Sequence, residues 1–138
     1  MQPYIVFSLG TSERFCVPLL DVVEITTVPD ITALPHQNER LAGLAMFRGN
    51  VIAVGHFDKI VGFTHDHYHE PNNMIVFHAN NGSELVGLLV RDVHDIKHIS
   101  EHEKMSPNFH SAYVEFVIRD NSLLIQNINV SKLLEGLH

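Results

Sequence analysis

The chain has 138 residues, 45% hydrophobic and 18% charged, and its sixteen Asp and Glu outweigh nine Lys and Arg to give a formal charge of −7. That balance disfavours binding to a phosphate backbone, so nucleic acid is not an expected partner. A single cysteine, Cys16, excludes an internal disulfide framework, no run approaches the ~20 apolar residues of a membrane span, and MQPYIVFSLG lacks the basic start of a secretory signal. The expectation is a cytoplasmic protein of one domain, or two small lobes sharing a core, with no direct membrane insertion.

Strands dominate the chain from its start. YIVFSLG (4–10) and RFCVPL (14–19) are β-branched and aromatic runs separated by Gly10-Thr11-Ser12. LLDVVEI (19–25) follows, then a loop containing Pro29, Asp30 and Pro35. NERLAGL (38–44) offers Asn38 as the cap of a short helix that Gly43 weakens. GLAMFRGNVIAVGHF (43–57) is almost continuously apolar, yet Arg48-Gly49 stands in its middle. Glycine permits a positive φ, and arginine offers a planar fork to a carboxylate. The pair is either a turn with a solvated head or a contact point beside an apolar surface.

NVIAVGHF then reads as a buried strand, and DKIVGF as a short helix or turn capped by Asp58. THDHYHEPNN (64–73) is a polar loop. MIVFHAN (74–80) and SELVGLLV (83–90) flank Asn81-Gly82, the strongest short hairpin signal in the chain. A second hairpin joins YVEFVI (113–118) to SLLIQNI (122–128) through Asp120-Asn121. VSKLLEGL (130–137) places Leu133, Leu134 and Leu137 at helical spacing, as a core-facing stripe. About eight short strands with two or three minor helices match small, mainly antiparallel sandwiches or barrels, and no fixed-period repeat is visible.

The order YIVFSLG, FCVPLLDVVEI, LAGLAMFRGNVIAV, ELVGLLVRDV, then a hairpin and a leucine-rich helix, resembles the CheW-like family of bacterial chemosensory coupling modules. The most specific pieces are VVEI (22–25), GLAMFRG (43–49) and VGLLVRDV (86–93), and the resemblance runs from Tyr4 to about Leu134. It implies a mainly β fold of two small antiparallel five-stranded β-barrels, SH3-like lobes that share a hydrophobic seam, with short helices, in one domain over residues 1–138. It implies a non-catalytic scaffold, without cofactor or metal. Such a scaffold joins the regulatory domain of a CheA-type histidine kinase to the cytoplasmic tip of a chemoreceptor.

In the family the arginine of the R-G pair lies near a receptor-facing groove, the place Arg48 and Gly49 take here. Val22 and Glu24 match positions implicated in the same surface. An apolar groove near Val22, Val51 and the strand starting at Met74 would dock an amphipathic receptor helix, apolar contacts binding and charges fixing register. The chain departs from the pattern at Met46, where asparagine is usual, and at His56, where an acidic residue usually ends the strand. YVEFVIRDNS lacks a glycine usual there, and Gln126-Asn127 interrupt a strand that is usually apolar. A diverged paralogue serving an array that controls type IV pili explains these changes as well as a general chemotaxis coupler does.

Eleven histidines raise a competing chemistry. His94, His98 and His102 recur at four-residue spacing, and on a helix they would share a face able to hold zinc in a small hydrolase. On a strand, positions 94 and 98 lie ~13 Å apart, too far to chelate one ion. His65, His67 and His69 alternate within HDHYH and read as a solvated loop. No nucleophile elbow, phosphate-binding loop or dinucleotide fingerprint is present. Cys16 sits in an apolar run and reads as a packed thiol. A peptide-binding barrel outside chemosensing is the remaining alternative.

Overall fold

The computed structural model describes residues 1–35, 38–62, 70–108 and 111–137. Among the described residues ten strands build two five-stranded sheets. One, the central sheet, takes β3 (Val22–Thr27), β4 (Leu41–Phe47), β5 (Asn50–His56), β6 (Asn73–Ala79) and β7 (Glu84–Val90) in the order β3-β6-β7-β5-β4. The other combines both ends of the chain. This terminal sheet takes β1 (Gln2–Ser8), β2 (Arg14–Pro18), β8 (Asp92–Ile99), β9 (Val114–Asp120) and β10 (Leu123–Ile128) in the order β8-β1-β2-β10-β9. Two short helices, α1 (Phe57–Val61) and α2 (Val130–Glu135), each follow the second strand of a hairpin.

The two sheets have one topology. Hairpins β6–β7 and β1–β2 occupy the middle, and hairpins β4–β5 and β9–β10 attach through a parallel pairing, β5 with β7 and β10 with β2. Even the irregularities match, since a register shift falls between Val22 and Glu24 in one sheet and between Ile5 and Phe7 opposite β8 in the other. The repeat escapes a fixed-period search because it is permuted: the central sheet runs β3 to β7, whereas its equivalent starts at β8 and finishes with β1 and β2.

The expected closed barrels are not present. Strands β3 and β4 are opposite edges of the central sheet, and β8 and β9 those of the terminal sheet. Each gap is spanned instead by one isolated bridge from the segment after the edge strand, Thr32 to Leu44 and Met105 to Val117. In the first, the Thr32 and Leu44 amides each donate to the other's carbonyl at 2.8 Å. Gly43 makes this approach possible: its φ is +145°, and a Cβ there would overlap the Thr32 carbonyl oxygen. The same residues explain why the expected helix over 38–44 is absent. Asn38 caps a turn, its Oδ1 accepting from the amides of Arg40 at 2.9 Å and Leu41 at 3.2 Å, and β4 starts at once.

The central residues of the middle hairpins (4–7, 15–17, 74–77 and 86–90) are buried and apolar because both their faces are covered. On β1, Ile5 and Phe7 face a cluster shared by both sheets and the helices, while Tyr4 and Val6 face the terminal sheet's own cluster. On β6, Ile75 and Phe77 join the shared cluster, and Met74 and Val76 the central sheet's own. At the heart of the shared cluster Phe57 of α1 meets Phe7 and Phe15, each at 5.0 Å between centroids in edge-to-face contact. Helix α2 contributes Val130, Leu133 and Leu134, and Leu137 follows it, so the expected stripe of Leu133, Leu134 and Leu137 does face the core. Asn129 caps the helix by accepting from the Lys132 amide at 3.1 Å.

Candidate docking groove

Hairpin β4–β5 turns on two residues, since Phe47 pairs with Asn50 and only Arg48 and Gly49 lie between. Both have positive φ, 49° and 79°, as a tight hairpin matching strand twist requires. Glycine meets this freely, but for arginine the left-handed region costs roughly 1 kcal/mol. Partial compensation comes from its side chain, which ion-pairs with Glu24 and lays its guanidinium 5.0 Å from the Phe47 ring centroid. The pair is at the surface, with side-chain exposures of 61% for Arg48 and 39% for Glu24. At such exposure it contributes at most about 1 kcal/mol.

Arg48-Gly49 is therefore a turn whose charged head lies at the surface, paired with Glu24. The Arg48–Glu24 pair also reaches from edge strand β3 to the β4–β5 turn, across the gap in the central sheet. In the terminal sheet Lys97 of β8 and Asp120 of β9 span the equivalent gap at 3.9 Å.

Beyond the turn, Met46 and Val51 pair directly across β4 and β5 and are 60% and 63% exposed. Val51 opens an open groove of about 1030 Å³ bounded by β5, β7, the β6–β7 turn and α2. Its apolar lining includes Val51, Ala53, Val86, Val130 and Leu134, and its charged lining among the described residues is Asp21, Glu84 and Glu135, with His78 beside them. Burial pushes the Asp21 carboxyl above its ordinary range, and the His78 ring opposes that shift. The β6–β7 turn forms the polar wall. Asn80, Asn81 and Gly82 all have positive φ, and the Gly82 and Ser83 amides donate to Ala79 and Asn80 carbonyls at 3.1 and 3.2 Å. Asn81-Gly82 thus lies in the expected hairpin, though in a four-residue loop closed by Ala79 opposite Glu84.

The structure distributes the sequence candidates unevenly. Val51 lines the groove, and so does Asn50, whereas Arg48 and Gly49, the two residues before it, do not. Val22 is half-buried against the shared cluster, one residue after the groove-lining Asp21. Glu24 does not line the groove and is joined to the β4–β5 turn through its pair with Arg48. Met74 is 1% exposed in the central sheet's inner cluster, so it supports the sheet from within and offers no side chain to a partner. Sequence reasoning missed Asp21, Glu84 and Glu135. They come from three distant segments, and only the fold brings them to one groove.

The zinc reading loses its geometry. His94 and His98 belong to strand β8, His102 to a short 3-10 turn, and the helix that would align them is absent. His94 Nε2 lies 2.9 Å from Ser8 Oγ, and among the described residues no group of three His, Cys, Asp or Glu is placed to hold a metal. His65, His67 and His69 lie outside the described residues. Cys16 is fully buried and its thiol is pushed up to about 12, by burial first, with Asn127 and Lys104 opposing. At His56, the position where the family usually has an acid, burial and then Lys59 lower the imidazole, opposed by Asp58. Among the described residues no helix is long and apolar enough to cross a membrane.

Comparison with known proteins gives a family model described as the CheW-like domain, which matches residues 3–138. No curated protein sequence matches. Among solved structures, the chain is similar to the scaffolding protein TtCheW from Thermoanaerobacter tengcongensis, with a TM-score of 0.85 at 26% identity. The alignment covers 97% of this chain and 92% of that one.

Proposed function

This chain belongs to the CheW-like family, and from that premise we propose that it couples a chemoreceptor to a CheA-type histidine kinase. The family's members are scaffolds and not catalysts, which agrees with a mainly β, two-sheet fold like that of a scaffolding protein. Residues 1–138 act as one domain in the cytoplasm, without enzymatic activity, and the signal passes through bound partners. Its two partners are the regulatory domain of the kinase and the cytoplasmic tip of the receptor.

The observation that carries the reading is the groove, with an exposed apolar strip from Met46 and Val51 at its mouth and a conformationally costly arginine beside it. A locally unfavourable residue that persists in a turn points to a role outside folding. Here Arg48, with Glu24 and Val51, receives an amphipathic helix of the receptor tip. The exposed Met46 alters the partner set, which suits an array controlling type IV pili as well as a chemotaxis array.

Titration of Arg48→Glu against a receptor-tip coiled coil and against the kinase regulatory domain tests the proposal. Receptor binding weakens by roughly 2 kcal/mol or more if the arginine is a desolvated hot spot, while kinase binding persists. Unchanged receptor affinity in a folded variant rejects the role. Loss of folding instead assigns Arg48 to the closure of the sheet gap.

A further inference from the structure

The groove carries more information than its apolar floor. Its charged lining is acidic throughout: Asp21 precedes β3, Glu84 opens β7 and Glu135 ends α2. Among the described residues the ion pairs are Arg48–Glu24, Arg91–Asp92, Lys97–Asp120 and Lys104–Glu101, and none involves these three carboxylates. Arg40 stands nearby but spends its Nη1 on the Gly136 carbonyl at 3.4 Å. Arg48, two residues before the groove-lining Asn50, is already paired with Glu24. Asp21 is the most telling of the three, because burial already disfavours its charge and His78 is the group that offsets this.

Resting on the docking reading above, we propose that the helix received by this groove is basic: an amphipathic segment whose apolar stripe is flanked by lysine or arginine that meets Asp21, Glu84 and Glu135. Size agrees with a helix, since a cylinder ~10 Å across and ~13 Å long, roughly nine residues, has about the groove's volume. Charge complementarity supplies the rest. Apolar contact with Val51, Ala53, Val86 and Leu134 turns the stripe of the helix inward but gives little preference for its register or direction along the groove, and three like charges along the walls do. An acidic helix with the same stripe is rejected by the same groups. The three carboxylates then fix its direction, with the carbonyl end of the helix at Arg48, where a cation is favourable.

Two lactam-stapled helical peptides with one shared Leu/Ile stripe, flanked by lysine in one and glutamate in the other, are the probes. Affinity is measured by calorimetry at low and physiological salt, and the site by amide shifts of the whole chain. The lysine peptide binds at the groove residues at least roughly tenfold more tightly than the glutamate peptide, and the difference shrinks with salt. It also disappears in Asp21→Asn/Glu84→Gln/Glu135→Gln, whose melting curve controls for folding. Equal affinities, or a preference that survives in this variant, overturn the basic-helix proposal and leave the groove as a docking site. Absence of groove shifts with either peptide overturns both.

Discussion

Gly43→Ala tests whether the central sheet depends on its isolated bridge. The glycine has a φ of +145°, and a β-carbon would overlap the carbonyl oxygen of Thr32, one of the two acceptors at 2.8 Å that close the gap to Leu44. Two backbone hydrogen bonds are worth about 1 kcal/mol each net, and the backbone strain adds roughly 1–3 kcal/mol. The sum is about 3–5 kcal/mol, or a fall in melting temperature of roughly 10–20 °C for a domain of this size. Gly49→Ala is the control. Its φ is +79° but no atom lies within 4 Å of the added carbon, so strain alone acts. It should cost roughly 1 kcal/mol. Circular dichroism melts give the stability, and hydrogen exchange at the Thr32 and Leu44 amides reports the bridge. Equal melting temperatures for the two variants, with those amides still protected in Gly43→Ala, would refute the closure argument.

Cys16, buried and with its thiol pushed up to about 12, should resist alkylation at neutral pH in the native protein and react only after unfolding; mass spectrometry before and after denaturant reads this. His56 sets a pH dependence. Its folded imidazole binds a proton less readily than the ordinary value of 6.5, so the unfolded chain takes up more protons and stability falls as pH drops below that value. In His56→Gln the decline in melting temperature between about pH 7 and pH 5 should be shallower than in wild type, and parallel curves would reject the assignment.

Much of the fold could be read where one residue pair dictates one geometry. Asn81-Gly82 announced a hairpin because few residues tolerate its φ values, and the β-branched and aromatic runs on β1, β6 and β7 announced strands. NERLAGL misled because Asn38 caps a turn as readily as a helix, and Gly43 serves a close backbone approach that becomes visible only when Thr32 arrives from eleven residues upstream. Met74 misled for another reason. Alternation places it on one face of β6, but both faces are buried, and sequence alone does not say which cluster it enters. The groove was half legible. Val51 and the Arg48-Gly49 turn stand within one apolar stretch, whereas Asp21, Glu84 and Glu135 share nothing in sequence except charge.

The interleaving of the two sheets has a consequence for how the chain folds as it is made. Residues 22–90 hold every strand of the central sheet, so that sheet can form as soon as β7 has left the ribosome. Hairpin β1–β2 is synthesised first, yet the strands on either side of it, β8 and β10, come some eighty to over a hundred residues later. Until then both its edges and both its apolar faces lack partners, the exposure that makes nascent strands prone to aggregate. Such distant pairings also slow folding, because the loop must close before contact rewards it. The N-terminal hairpin should therefore gain protection last, and moving residues 2–18 to follow α2 in a circular permutant should speed folding without altering the groove. Pulse-labelling hydrogen exchange would show it as late protection of Tyr4 to Phe7, after Met74 to Phe77 are already closed.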